Sequence, residues 1–153
     1  MTQQIDPRGP QFTAAVTAAV LAVVLVTAPS AFATALLAVQ AVLFGLGAAL
    51  GVHRTPHAWV FRTLIRPRLA PSEDWEDPAP PRFAQAVGFG FAAVGLIGFL
   101  AGATALGLVA TGFALAAAVL NAVFRFCLGC ELYLIIRRFA AAGDHRRNIV
   151  TTN

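Results

Sequence analysis

Four stretches of the chain are continuously apolar and carry no ionisable side chain: about Phe12 to Ala28, Ala31 to Val52, Phe83 to Leu100 and Ala103 to Phe124. Crossing a bilayer core as a helix takes roughly 20 apolar residues, with about 17 as the lower bound. Each stretch is long enough. Pro29 and Ser30 break the first pair, and Gly102 marks the break in the second. The pattern predicts two tight antiparallel helical hairpins. After the second stretch, "HRTPHAWVFRTLIRPRLAP" offers Thr55 as N-cap and Pro56 at the first helical position. A short amphipathic helix is expected over Pro56–Arg66, with Trp59, Val60 and Leu64 on its apolar side, Phe61 at the edge and Pro67 as its stop. Tryptophan and arginines place such a helix at headgroup depth.

The polar residues are few enough to count. The chain is 58% hydrophobic and 12% charged, against about a quarter charged in soluble domains. The fold class is therefore all-α integral membrane. All eleven basic residues are arginines. Arg8 precedes the first span. Arg54, Arg62, Arg66, Arg68 and Arg82 fall between the second and third, and Arg125, Arg137, Arg138, Arg146 and Arg147 after the fourth. The turns at Pro29 and Gly102 have none. All positive charge thus lies on one side, the cytoplasmic one by the positive-inside rule, with both termini and the central loop. A net charge of +4 on such a chain points to the lipid bilayer with anionic headgroups as first partner, and no nucleic-acid pattern is present. Arg8, an apolar run and "APSAFA" also have the form of a secretory signal, but the next span follows at once and leaves no polar domain to release.

The halves resemble each other. "DPRGPQFTAAV" (Asp6–Val16) recurs as "DPAPPRFAQAV" (Asp77–Val87), an offset of 71 residues that also pairs Arg54 with Arg125 and Arg66 with Arg137. Two spans per repeat return the chain to its starting side, so the repeats are parallel. The expected organisation is a single membrane domain over 1–153. It comprises repeat 1 at about 6–70, an acidic, proline-rich linker at about 71–76, repeat 2 at about 77–141 and a polar tail at 142–153. Each hairpin would be followed by a short interfacial amphipathic helix. Lipid provides no hydrophobic drive between helices, so small residues must permit close approach. Gly45, Gly47, Gly51, Gly88, Gly95, Gly98 and Gly102 are placed for this, with Gln40, Thr104, Thr111 and Asn121 as polar cross-links. No intramembrane acid, base or histidine marks a solute path.

"RFCLGCELY" holds both cysteines, Cys127 and Cys130. The offset sets Cys127 opposite Pro56, so a helix is expected to start at Cys127, just beyond the membrane. The helix N-terminus and Arg125 would both lower the pKa of its thiol, with Glu131 acting the other way. Cys127, Cys130, Glu131, Leu134 and Arg138 would share one face, and Leu128, Leu132, Ile135, Ile136 and Phe139 another. A pair at this spacing in a reducing cytosol suits thiol redox or sulfur transfer. Metal is the weaker reading, since zinc takes four ligands and would need His53, His57, His145 or a second chain, and an inert pair of packed cysteines stays open beside both. His53 and His57 are four apart, but Pro56 interrupts their shared face. "PSEDWEDPAPP" reads as a solvated linker, or as a docking patch anchored by Trp75.

With "DPRGPQF" at Asp6–Phe12, "PPRFAQAVG" at Pro80–Gly88 and "FCLGCELY" at Phe126–Tyr133, the chain resembles small bacterial four-helix membrane proteins catalogued only as a domain of unknown function. These are often encoded near thioredoxin-like and rhodanese-type proteins. The resemblance implies a membrane-embedded thiol-disulfide or sulfane-sulfur relay in the bacterial plasma membrane, served by a cytosolic thioredoxin-like or sulfurtransferase protein. In it Cys127 would attack, Cys130 resolve and Arg125 hold the anionic form, with no cofactor and no metal. The alternative is a non-catalytic anchor or assembly subunit of a larger complex. Homo-oligomerisation stays open.

Overall fold

The computed structural model describes residues 5–70 and 75–150, the last nine of these by backbone alone. Linker residues 71–74 and the side chains of His145, Arg146 and Arg147 lie outside the described residues. The described residues form six α-helices: α1 (Arg8–Thr27), α2 (Ala31–Leu50), α3 (Pro56–Val60), α4 (Ala79–Leu100), α5 (Thr104–Phe124) and α6 (Leu128–Val150). By length and composition α1, α2, α4 and α5 are able to cross a membrane. They form a ring in which α1 touches α2 and α5, and α4 touches the same two.

Helix ends follow local chemistry. α1 and α4 start about four residues before the apolar stretches do, because each is opened by an Asp-Pro pair. The Arg8 N–H donates to Asp6 Oδ1 at 3.0 Å, and the Ala79 N–H donates to Asp77 Oδ1 at 2.8 Å. These aspartates satisfy N–H groups that lack intrahelical partners. Ser30 caps α2 by accepting from the Ala33 N–H at 3.1 Å. α2 ends at Leu50 because Gly51 turns to φ 93°, a region that suits glycine.

The core is a narrow seam. Leu21, Val24, Ala33, Leu37 and Ala92 are fully buried, and Ala41, Phe44 and Ala114 complete the cluster. The remaining surface of the spans is largely apolar and exposed, including Val26, Phe32, Ile97 and Leu100. In water such a surface would be unfavourable; in lipid it is the expected exterior. Small residues set the helix separations. A Cβ on Gly98 would lie 2.7 Å from the Gly107 nitrogen, so α4 and α5 touch through backbone there. A Cβ on Gly88 would meet the Phe44 ring at 2.7 Å. Gly107, which the sequence reading passed over, is thus as necessary as the glycines of α4.

Of the four expected polar cross-links, Gln40 makes one: its Nε2 donates to Thr17 Oγ1 at 3.3 Å, joining α2 to α1. Thr111 is fully buried and its Oγ1 has no partner among the described residues. Thr104 and Asn121 make no side-chain hydrogen bond to another described residue.

The segment after α2 departs from expectation. Helical turns run on past Pro67 to Arg68, as α over Pro56–Val60, a π turn over Phe61–Ile65 and a 3₁₀ turn over Arg66–Arg68. Proline is tolerated at the start of a new helical turn, where its missing N–H is not required. Arg68 then donates from Nη1 to the Leu64 carbonyl at 3.0 Å. Phe61, expected at the edge, is the buried anchor, with its ring 6.0 Å from that of Phe12. Trp59 and Leu64 are exposed.

The ends of α1, α2, α4 and α5 that carry arginine meet at one pole of the ring. Arg82 donates from Nε to the Ala48 carbonyl at 2.5 Å and from Nη2 to the Ala49 carbonyl at 2.6 Å, closing the C-terminus of α2. Gln11 Nε2 does the same for α5, donating to Ala122 O at 3.0 Å. Between them Ile5 and Glu76 exchange two backbone hydrogen bonds, each 3.0 Å long.

Candidate functional site

The dithiol is built at the corner where α5 hands over to α6. Arg125 closes α5 in the left-handed region, φ 56° and ψ 23°, and is the one described non-glycine residue with positive φ. The Arg125 and Phe126 N–H groups both reach back to the Leu120 carbonyl, the latter at 3.3 Å, which satisfies one of the last carbonyls of α5. The reversal aims Cys127 at the start of α6.

α6 begins at Leu128, one residue later than expected, and Cys127 is its N-cap rather than its first helical residue. The Glu131 N–H donates to Cys127 O at 3.0 Å, and the Cys130 N–H points at Cys127 Sγ at 3.3 Å. The single offset of 71 had set Cys127 against Pro56. The caps align instead Thr55 with Cys127. Thr55 Oγ1 accepts from the Ala58 N–H at 3.3 Å, and the Trp59 N–H donates to Thr55 O at 3.1 Å. The sulfur occupies the place of the hydroxyl. The shift arises because α5 and its turn are not the same length as α2 and its turn.

Cys127 and Cys130 are joined as a disulfide with Cα atoms 5.2 Å apart, within the usual span of such bridges. Both residues are half-buried. Gly129 between them faces α4: a Cβ there would lie 2.6 Å from both Cα and Cβ of Ala84. One helical turn on, the Tyr133 ring packs against Phe83, centroids 5.7 Å apart, and Arg137 lies over Tyr133 at 5.9 Å. The first half has a counterpart in Phe12 against Phe61. "PPRFAQAVG" and "FCLGCELY" therefore meet in space, through Ala84 with Gly129 and Phe83 with Tyr133.

One face of α6 carries Leu128, Leu132, Ile135, Ile136 and Phe139, all exposed. Leu134 is also exposed, on the side of the helix that carries Cys130 and Glu131. Arg125 is exposed, and no hydrogen bond or ion pair ties its guanidinium to another described residue. Its observed role is in the backbone turn.

His53 and His57 do not join the cysteines. Among the described residues no three His, Cys, Asp or Glu side chains come together as a metal site. His53 lies before the Thr55 cap and His57 after it, so their faces are separate. Burial, then the charges of Arg54, Arg62 and Arg82, push His53 below its ordinary pKa, and burial alone lowers His57.

Sequence reasoning located the dithiol and its helix but missed Ala84, Thr17 and the pairing of Ile5 with Glu76. Ala84 was legible only as a small residue one place after Phe83. Nothing in its local pattern names Gly129 as its neighbour.

A family model described as "Domain of unknown function (DUF4395)" matches residues 5–138, nearly the whole chain. Neither the curated proteins nor the solved structures include a match.

Proposed function

The chain belongs to the DUF4395 family, and from that premise we propose that it is a membrane-embedded thiol-disulfide or sulfane-sulfur relay acting through Cys127 and Cys130. The observation that carries this reading is the dithiol at the α6 N-terminus, half-exposed and braced against α4 by Gly129. A thiolate on Cys127 would receive the Cys130 N–H and the positive end of the α6 dipole, both favouring the anion. Arg125 adds charge nearby.

In the redox form of the cycle, the Cys127 thiolate attacks one sulfur of a partner protein's disulfide. A mixed disulfide forms and the partner's other sulfur leaves as thiolate. Cys130, deprotonated, then attacks Cys127 Sγ, closing the bridge and releasing the partner's second thiolate. Two electrons pass from this dithiol to the partner. In the sulfur form, Cys127 thiolate takes the outer sulfur of a partner persulfide, and the partner leaves as thiolate. Cys130 attacks the inner sulfur of the new persulfide and hydrosulfide departs.

The membrane frame is part of the proposal. The chain is read as two parallel hairpin repeats with α3 and α6 as interfacial helices, in a bacterial plasma membrane, with both termini and the arginine-bearing pole cytoplasmic. Supporting the two-half reading, Ile5 pairs with Glu76, its own equivalent at an offset of 71, as residues on a twofold axis do. The Asp6 and Asp77 caps and the two aromatic pairs repeat likewise. The partner at the dithiol would be a cytosolic thioredoxin-like or sulfurtransferase protein.

The test is alkylation mass spectrometry in intact cells, with and without oxidant or thiosulfate. A relay predicts that the pair switches between alkylated and bridged forms, and that Cys130→Ser traps a partner on Cys127. Reactivity equal to that of a free peptide thiol under every condition excludes it. A second reading, an anchor subunit, is favoured by the exposed apolar stripe of α6. It predicts a stoichiometric partner that still co-purifies after both cysteines become serine.

A further inference from the structure

We propose that a cleft at the arginine-bearing pole, walled by Arg62, Arg66, Leu69 and Trp75, binds the phosphate of an anionic headgroup. Its volume is about 450 Å³, within the usual range of ligand clefts. Two parts of the chain far apart in sequence build it: Asp6, and the run Arg62–Ala70 with Trp75 five residues further on. Each wall is tied down. Arg8 donates from Nη1 to Ala70 O at 2.9 Å, and Arg68 holds Leu64 O at 3.0 Å. The double bond between Ile5 and Glu76 fixes the backbone beside Trp75.

The lining suits an amphipathic anion. The Arg66 guanidinium carbon lies over the Trp75 ring, 5.9 Å from its centroid, within reach of a cation–π attraction. Arg62 stands on the same helical face, one turn earlier. Planar guanidinium donors fit phosphate oxygens in pairs. Asp6 also lines the cleft, but one of its carboxylate oxygens already accepts the Arg8 N–H at the start of α1. Two guanidinium groups against one engaged carboxylate leave the described lining positive. The charge of Arg62 is also felt at His53, whose proton it helps to expel. Leu69, Pro67 and the indole offer apolar surface for the ester and glycerol next to a phosphate. α1 begins at Arg8, two residues from the cleft, which sets the site at the depth where headgroups lie.

The proposal rests on the membrane placement of that pole and not on the thiol chemistry. The test uses the full chain in nanodiscs with Trp59→Phe, which leaves Trp75 as the sole tryptophan. Emission of Trp75 is followed as phosphatidylglycerol replaces phosphatidylcholine, and separately as inorganic phosphate is added. The expected result is a saturable shift with phosphatidylglycerol, weakened about tenfold by Arg62→Gln with Arg66→Gln. Arg62→Lys with Arg66→Lys should retain part of it, and Arg137→Gln, on α6 and outside the lining, all of it. A matching shift with inorganic phosphate alone keeps the phosphate site and assigns its ligand to solution. An equal response to phosphatidylcholine, or a response unchanged in the Gln pair while circular dichroism shows an intact fold, overturns it. Stable membrane insertion without lipid selectivity defeats this site alone.

Discussion

Gly129 sits so close to Ala84 that a single added methyl would fall 2.6 Å from two of its carbons. This contact fastens the dithiol turn to α4. Gly129→Ala should destabilise the protein by about 1–3 kcal/mol, the usual cost of overpacking, because one colliding atom is backbone. Ala84→Gly in the same chain removes the other and should recover part of the loss. Thermal unfolding of the detergent-solubilised protein measures both. If Gly129→Ala melts like the parent, the dithiol turn is not held by α4.

The N-cap role of Cys127 separates from its thiol chemistry. Cys127→Ser keeps an oxygen able to accept the Cys130 N–H, as Thr55 accepts that of Ala58. Under reducing conditions Cys127→Ala should be less stable than Cys127→Ser by about 1 kcal/mol. Both should abolish the relay equally. Equal stability of the two variants would show that the sulfur does not serve as a cap.

Arg125 can be tested in two ways at once. Its backbone is left-handed, a conformation that costs a non-glycine residue of order 1 kcal/mol. Arg125→Gly should therefore hold or raise stability. If the guanidinium supports a Cys127 thiolate, the same variant should slow alkylation of the reduced protein at neutral pH. A drop in melting temperature would contradict the backbone role, and unchanged alkylation the electrostatic one.

Acid should weaken the fold through His53 and His57. Both are held below 6.5, so the unfolded chain takes up their protons first as pH falls. Stability is full above about pH 6.5 and declines as pH drops toward the folded-state values. Melting temperatures between pH 8 and pH 5 give the slope. His53→Gln with His57→Gln should flatten it, and an unaltered slope would assign the effect elsewhere.

In the bundle seam, Gln40 Oε1 is buried with no partner among the described residues, while Nε2 holds Thr17. Gln40→Leu should be nearly neutral, since it removes an orphan acceptor together with a bond worth about 0.6 kcal/mol in membranes. Gln40→Ala should cost about 2 kcal/mol or more from the cavity. Equal losses in both would mean that the amide itself is needed.

How much of this was legible in the residues varies by element. Four spans, their hairpin turns and the common pole of the arginines follow from the spacing of apolar and charged side chains, because lipid and water sort them without reference to tertiary contacts. Thr55 and Pro56 announced α3 by local capping chemistry. The same logic erred by one residue at Cys127. A constant offset cannot register that α5 and its turn differ in length from α2 and its turn, and that Arg125 reverses the chain where Gly51 does so earlier.

Phe61 illustrates the other limit. Its own N–H still bonds the His57 carbonyl in α register and the π turn opens beyond it, so spacing along the helix sets its direction but not what it meets. Only packing against Phe12 makes Phe61 the anchor.

The sequence by itself determined four helices long and apolar enough to cross a membrane, arginines gathered toward one pole, and a cysteine pair beyond the last of the four. Periodicity, capping and charge are local quantities, readable one segment at a time. Tertiary structure decided that Gly129 meets Ala84, that Ile5 pairs with Glu76, and that Arg62, Arg66 and Trp75 enclose one cleft. The first two join residues distant along the chain and the third folds a short linker back on its own helix, and all three depend on a close packing that the sequence pattern can orient but not register.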